Sequence, residues 1–331
     1  MKVLVTGAAG YVGCVLVPKL LEAGHAVVAY DIMYYGTDGL KAQPRLDIVS
    51  ADMRDAAAFA AAVKGCEAVI HLACISNDPS FELDPALGKS INFDCFEPMV
   101  LASQAAGVKR FIYASSSSVY GVSESPNVDE NHPLKPLTDY SKYKAMCEEV
   151  LLRLSKPGFT VCVIRPATVC GYSPRTRLDL AVNILTNLAV NKRRITVFGG
   201  AQKRPNIHID DISDLYVQLL ALPAEKIDGK IWNAGYENHT VADLARMAKD
   251  VVEREFPEKA PIEIVTSPTD DLRSYHVSSE KITRDIGFKP KRTVEDAIRD
   301  LCRAFKAGKL PGSLDDPRYF NVKTMKAAPT A

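Results

Sequence analysis

The sequence has no charge to spare in either direction: 41 lysines and arginines stand against 40 aspartates and glutamates, a formal net charge of +1 over 331 residues. Such balance offers no basic surface to nucleic acid or to an anionic membrane, so small molecules are the expected partners. No apolar run nears the length that spans a bilayer, which argues against a helical membrane protein. The eight cysteines, at positions 14, 66, 74, 95, 147, 162, 170 and 302, include no CxxC pair and no Cys/His cluster. Neither a disulfide framework nor a metal site is expected. With an N-terminus that starts directly on a core-type strand, the chain reads as reduced, cytoplasmic and metal-free. Internal repeats are lacking, and low complexity is confined to an Ala/Pro/Thr tail.

What is present begins with Val3, Leu4 and Val5, an apolar run without alternation that marks a parallel strand buried on both faces. Residues 6–13 then turn it into a helix, with Gly7, Gly10 and Gly13 in a GxxGxxG spacing. Glycine turns also serve purely structural ends, but this one lies between strand and helix, where it suits a pyrophosphate. Gly7 allows the tight bend, Gly10 brings backbone near the phosphates without a Cβ, and Gly13 lets helix and strand pack closely, while the helix N-terminus offers N–H groups and a positive dipole end. A second strand, Ala26-Val-Val-Ala-Tyr-Asp31, ends in an acid where the adenosine ribose would lie. A carboxylate accepting from the ribose 2′-OH repels a 2′-phosphate, so the expected cofactor is NAD, not NADP.

Up to about residue 165 apolar strands alternate with helical segments. Strands are expected at 46–50, 68–72, 111–114 and 161–164, and helices at 55–63, 85–106 and 139–154. Regular β-α-β alternation implies a Rossmann-type, doubly wound parallel α/β sheet with ligands at the carboxyl ends of its strands. Beyond Pro166 the alternation fails; a short strand is expected at 195–198 and helices near 178–190, 211–221, 241–254 and 293–306. The reading is an NAD-binding domain over 1–165 and a smaller C-terminal α/β substrate lobe over 166–331, partly interleaved with it, since no Pro/Ser/Gly linker separates them.

Tyr140-Ser-Lys-Tyr-Lys144 places a phenol and an ammonium on one helix face. A free phenol, with a pKa of about 10, is a poor base at neutral pH, but a nearby Lys⁺ and an oxidised nicotinamide would stabilise the phenolate. YxxxK is a common accident in amphipathic helices, so position decides. The pair follows the strand 111–114, whose end carries the hydroxyl run Ser115-Ser116-Ser117-Ser118 where a substrate alcohol would sit.

These features together resemble the extended short-chain dehydrogenase/reductases that act on nucleotide sugars. The resemblance covers nearly the whole chain: TGAAGYVG, Asp31, Ala51-Asp52-Met53, His71-Leu72-Ala73, SSSSVYG, YxxxK, Arg165-Pro166 and Asp271-Leu-Arg-Ser-Tyr275. It implies Tyr140 as catalytic acid/base, Ser116 as the hydroxyl sharing the sugar's proton, and Lys144 as a further hold on the nicotinamide ribose. By the same resemblance Tyr11, Val12, Asp52, Met53, Leu72, Ala73, Pro166 and Val169 join the cofactor site, with Asp52 and Met53 at the adenine. His71, a lone histidine after a buried strand, reads as structural. On the substrate side the resemblance points to Ser116, Ser117, Tyr140, Arg175, Arg177, Asn183, Arg204 and Arg273; bidentate guanidinium suits a diphosphate, though each arginine has an alternative as an ion-pair partner. It also implies a homodimer through the helices at 85–106 and 139–154, which carry Met99, Val100, Ala102, Ala145, Met146, Val150 and Leu151; the alternative is that both helices merely cover the sheet.

Related 4,6-dehydratases carry Asp-Glu or Ser-Glu just after the catalytic hydroxyl, because expelling an oxygen at C6 needs an acid and stripping the C5 proton a base. Here those positions are Ser117 and Ser118. The resemblance is therefore to the C4 epimerases of UDP- or other nucleotide-linked hexoses and hexuronates, working through a transient 4-keto sugar. A net oxidoreductase or a dehydratase is the alternative. Relatives that act only as cofactor-binding regulators generally lack the Tyr/Lys pair, which this chain keeps.

Overall fold

A computed structural model describes residues 1–123, 125, 127–269, 274 and 276–327. The apolar runs become strands β1 (Lys2–Thr6), β2 (Ala26–Asp31), β3 (Leu46–Ser50), β4 (Ala68–His71), β5 (Arg110–Ala114) and β6 (Thr160–Pro166). They pair in parallel in the order β6-β5-β4-β1-β2-β3, so the order reverses between β1 and β4. Helices cover both faces, which is why β1 shows no alternation: Val3 and Val5 pack with Leu16, Leu20 and Leu215 on one side, and Leu4 with Phe59, Phe96 and Leu151 on the other.

Beyond Pro166 follow β7 (Thr168–Cys170), β8 (Arg194–Phe198), β9 (Lys203–His208), β10 (Lys230–Ala234), β11 (Glu237–Thr240) and β12 (Glu263–Ser267). β11, β9 and β7 make one small sheet, and β12 and β8 another. β10 instead returns to the first sheet and pairs in parallel with β6. Helix Ile209–Ala221 returns as well, its Asp210 and Asp214 meeting Lys19 of helix Gly13–Glu22 at 2.9 and 2.6 Å. The chain beyond Pro166 thus contributes to the layers around the first sheet.

Helices expected at 178–190, 211–221, 241–254 and 293–306 occupy Ala181–Lys192, Ile209–Ala221, Val241–Glu255 and Val294–Lys306. Capping boxes by Thr240 with Asp243 and by Thr293 with Asp296 fix two of the starts. The helix expected unbroken over 85–106 is split: Pro85–Lys89 and Phe96–Ala105 flank a π-helical turn, Ser90–Asp94. The wider turn lets buried Asn92 grip Ile75 through its backbone N–H (2.8 Å) and carbonyl (3.0 Å), anchoring the segment 74–78. Met99, Val100 and Leu151, expected to serve a dimer, are in the protomer's own core. Leu101 is exposed, and Ala102, Met146 and Val150 are half-buried.

His71 is structural, as expected. Its Nδ1 lies 2.6 Å from Thr6 Oγ1, tying the ends of β4 and β1, and its ring stacks on Tyr113. Burial, with the charge of Lys144 adding, pulls its pKa down to about 3. The folded state therefore binds fewer protons than the unfolded chain between pH 6.5 and 3, and this histidine should cost about 1.4 kcal/mol of stability per pH unit as pH falls through that window. His71→Phe is expected to flatten that limb of a stability-versus-pH curve relative to wild type; parallel curves would refute the assignment.

Candidate active site

A cavity of about 690 Å³ opens at the carboxyl ends of the parallel strands, where the strand order reverses. Its floor is the first turn. Gly7 sits at φ +72°, and a Cβ there would meet Ala73 N at 2.8 Å; a Cβ on Gly13 would overlap the Gly7 carbonyl. Only glycine lets β1, the turn and the segment after β4 approach so closely. Helix Gly13–Glu22 begins at Val12 with no capping side chain and no acid in its first turn, so its N-terminal dipole faces the cavity. Tyr11, Val12, Gly7, Gly10 and Gly13 all line it.

Asp31 ends β2 at the rim, its carboxylate accepting from Ala9 N (3.0 Å) and Met33 N (2.8 Å). Burial pushes its pKa up, against those two hydrogen bonds and the charge of Arg175. Asp52 and Met53 line the next stretch of wall, the Asp52 carboxylate also holding Arg54 at 2.6 Å. Leu72, Ala73, Pro166 and Val169 line the inner wall.

Ser116, Tyr140 and Lys144 meet on one side of this cavity. β5 delivers the serines, and helix Asp139–Arg153, capped by Thr138, presents Tyr140 and Lys144 on one face. Lys144 is 3% exposed; Nζ donates to Ala114 O at 2.7 Å and lies 6.0 Å from the Tyr140 ring. Burial, with the charges of Cys74 and Asp78 adding, pushes the pKa of the Tyr140 phenol well up, while Arg177 and hydrogen bonding with Ser116 act the other way. The protein alone thus favours the neutral phenol.

The substrate-side residues separate. Ser117 and Arg177 line the cavity; Arg177 is held by Asp179 at 2.9 Å and its charge reaches Tyr140. Arg175 also lines it, but on the Asp31 side, with its guanidinium 3.6 Å above the Tyr35 ring; burial pulls its pKa down to about 10. Asn183 does not reach the cavity. Fully buried, it accepts from Gly171 N (3.0 Å) and donates to Tyr11 Oη (3.1 Å) and Arg177 O (2.8 Å), so it shapes the loop carrying Arg177 in place of touching a ligand. Arg204 lines a neighbouring cavity of about 140 Å³ with Asp78, Ser118, Thr138 and Ser141, not the large one. Arg273 lies outside the described residues, as does most of the stretch 271–275.

Sequence reasoning missed Tyr35, the segment Cys74–Asp78, and Asn321, Met325 and Lys326 of the C-terminal helix, all on the cavity wall. Asn321 binds Ser76 Oγ at 2.8 Å and the Arg175 guanidinium. Elsewhere His208, Asp210 and Asp300 bring ligand-type atoms within 4.8 Å, but Lys19 and Arg292 already neutralise Asp210, which makes this an ion-pair network.

The glycine cradle, the uncapped helix end and the Asp31 carboxylate fit a dinucleotide. The UDP-glucose 4-epimerase of Lactobacillus helveticus is 25% identical over 323 residues, 90% of this chain and 95% of that one. Among solved structures, a dTDP-glucose 4,6-dehydratase from Streptomyces venezuelae with NAD bound superposes with a TM-score of 0.83 at 22% identity, covering 96% of this chain and 100% of that chain. The UDP-glucuronic acid 4-epimerase from Bacillus cereus, in complex with UDP-glucuronic acid and NAD, gives 0.81 at 23% identity, covering 93% and 99%. A family profile matches residues 3–235, and with it the chain belongs to the NAD-dependent epimerase/dehydratase family.

Proposed function

We propose that this enzyme inverts C4 of a UDP- or other nucleotide-linked hexose or hexuronate with no net redox change. The observation that carries the reading is the wall bearing Ser116, Tyr140 and Lys144 with serines, not carboxylates, at 117 and 118. When bound, NAD supplies a hydride acceptor that returns the hydride in the same turnover. Tyr140 takes the proton of the 4-hydroxyl and gives it back, Ser116 shares that proton, and Lys144 favours the phenolate by its charge. Tight cofactor retention follows from such a cycle. We assign Arg177 to the substrate side by its reach to Tyr140, and Arg175, beside Asp31, to the cofactor phosphates.

The experiment is incubation with UDP-glucose, UDP-glucuronate and dTDP-glucose without added cofactor, followed by NMR of the products and absorbance of NADH. An epimer mixture reached from either side without accumulating NADH is the expected result. Stoichiometric NADH, or a 4-keto-6-deoxy sugar, would overturn it. A homodimer through Phe96–Ala105 and Asp139–Arg153 is the proposed assembly, supported by exposed Leu101 and half-buried Ala102, Met146 and Val150. A monomer by sedimentation at micromolar concentration would refute it. Eight free thiols suit a reducing, cytoplasmic setting.

A further inference from the structure

One side-chain amide stands between the two arginines of the large cavity. Arg175 is 7% exposed, lies over Tyr35 and makes the one hydrogen bond of its guanidinium, among the described residues, to Asn321 Oδ1; its Nε is buried without a partner. Asn321 is neutral, so it holds the guanidinium without cancelling the charge. On its other side Asn321 Nδ2 donates to Ser76 Oγ at 2.8 Å, where Arg177 Nη1 also donates at 3.4 Å. A hydroxyl has two acceptor positions and one proton. Both positions on Ser76 are therefore occupied, and its proton finds no acceptor among the described residues, although Ser76 lines the cavity. Asn321 is itself fixed: 2% exposed, its backbone N–H donates at 3.0 Å to Asp179 Oδ2, the carboxylate that holds Arg177. Tyr319 O, just before it, accepts from Leu178 N at 2.9 Å.

We propose that Asn321 is a positioning residue common to both ligands: its Oδ1 sets Arg175 for the cofactor phosphates, and its Nδ2 makes Ser76 a donor-only contact for the nucleotide sugar beside Arg177. A buried guanidinium with a spare Nε and no cancelling charge suits an anion. A hydroxyl whose lone pairs are taken suits an oxygen of the substrate that carries no proton. Because one planar amide serves both, neither arm moves without the other, and a displaced Asn321 loosens cofactor and substrate together. The C-terminal helix Asn321–Ala327 thereby takes part in binding, with Met325 and Lys326 on the same cavity wall. The proposal rests on the assignment of Arg175 to the cofactor and Arg177 to the substrate, and not on which carbon is inverted. Asn321 acts through its two neighbours and touches neither ligand.

The test is a pair of double-mutant cycles on the NAD-loaded full-length protein. Exchange of bound NAD against labelled NAD reads one arm, and equilibrium dialysis with labelled UDP-glucose reads the other. Arg175→Met is expected to speed NAD exchange by about tenfold or more and to leave UDP-glucose binding alone; Ser76→Ala should weaken UDP-glucose by about threefold to tenfold and leave NAD exchange alone. Asn321→Ala, or the milder Asn321→Ser, should do both. In the Arg175→Met background Asn321→Ala should add nothing to NAD exchange, and in the Ser76→Ala background nothing to the loss of UDP-glucose, since the partner it acts through is gone. An amide that merely packs the C-terminal segment would give additive losses in both backgrounds, and that result would overturn the proposal, as would parental exchange and binding in Asn321→Ala. Parental NAD exchange in Arg175→Met would overturn the cofactor arm. A wild-type protein that does not bind UDP-glucose would instead overturn the nucleotide-sugar reading and the substrate arm with it, leaving the NAD cycle to decide the other.

Discussion

Tyr140→Phe is expected to lower turnover by about 10²–10⁴-fold while cofactor stays bound. The substitution deletes the hydroxyl to which we assign proton transfer yet keeps the ring that lines the cavity with Ser116. The Gly7–Gly13 turn and Asp31, to which we assign most of the hold on the cofactor, line the same cavity and are untouched by the substitution. Lys144→Ala should fail differently. Its Nζ ties the helix to the end of β5 through Ala114 O and Lys144 lines the cavity, so with the proposed hold on the nicotinamide ribose both retention and rate should fall. Turnover on the nucleotide-sugar panel, with NAD released by denaturation and quantified, separates the two variants. A Tyr140→Phe enzyme working at the wild-type rate would remove the phenol from the chemistry.

The first sheet was legible because its signals are local. Val3-Leu-Val5 and Ala68-Val-Ile70 are buried on both faces, so they carry no alternation, and glycines and caps mark the turns between. The grouping of the turn residues with Asp31 was legible for the same reason: β1, the turn and β2 are contiguous in sequence, and the residues named from them line one cavity. On the expected substrate side, Ser116, Ser117, Tyr140, Arg175 and Arg177 line the cavity, but Asn183 and Arg204 do not. Asn183 is as polar as a ligand contact but is consumed by Gly171, Tyr11 and Arg177, a fact of loop packing that spacing does not encode. Asn321 reaches Ser76 across 245 positions, and nothing near it in sequence signals a cavity. The split in the helix expected over 85–106 arises from a π-turn whose purpose, holding Ile75, is likewise distant in sequence.

Removing one end of the Arg165–Glu148 pair is expected to cost about 3–5 kcal/mol. Both side chains are 3% exposed, and they meet through Nη2 to Oε2 at 2.6 Å and Nε to Oε1 at 3.0 Å. Burial alone would lower the Arg165 pKa, but the bonds to Glu148 override it and hold the guanidinium charged. Ser115 Oγ donates to the same carboxylate, and Arg165 Nη1 donates to Tyr120 Oη, which in turn donates to Asn233 on β10. Glu148 lies one turn beyond Lys144 on the same helix, and Ser115 immediately precedes Ser116. The pair therefore fixes the ends of β5 and β6 and the helix on which Tyr140 and Lys144 stand. Glu148→Leu leaves a buried guanidinium unpaired and should shift the denaturation midpoint far down, against a total stability typically of about 5–15 kcal/mol. Glu148→Leu with Arg165→Met removes both charges and should recover most of that loss, because the desolvation cost disappears along with the attraction. Turnover need not return with it: without the carboxylate Ser115 Oγ loses its acceptor and only the backbone bond from Ser115 N to Ile164 O (2.8 Å) remains, so Ser116 is held less firmly beside the phenol. A double variant that regains stability but stays slow shows that the pair serves geometry; a single variant as stable as wild type would show that the ion pair holds nothing in place.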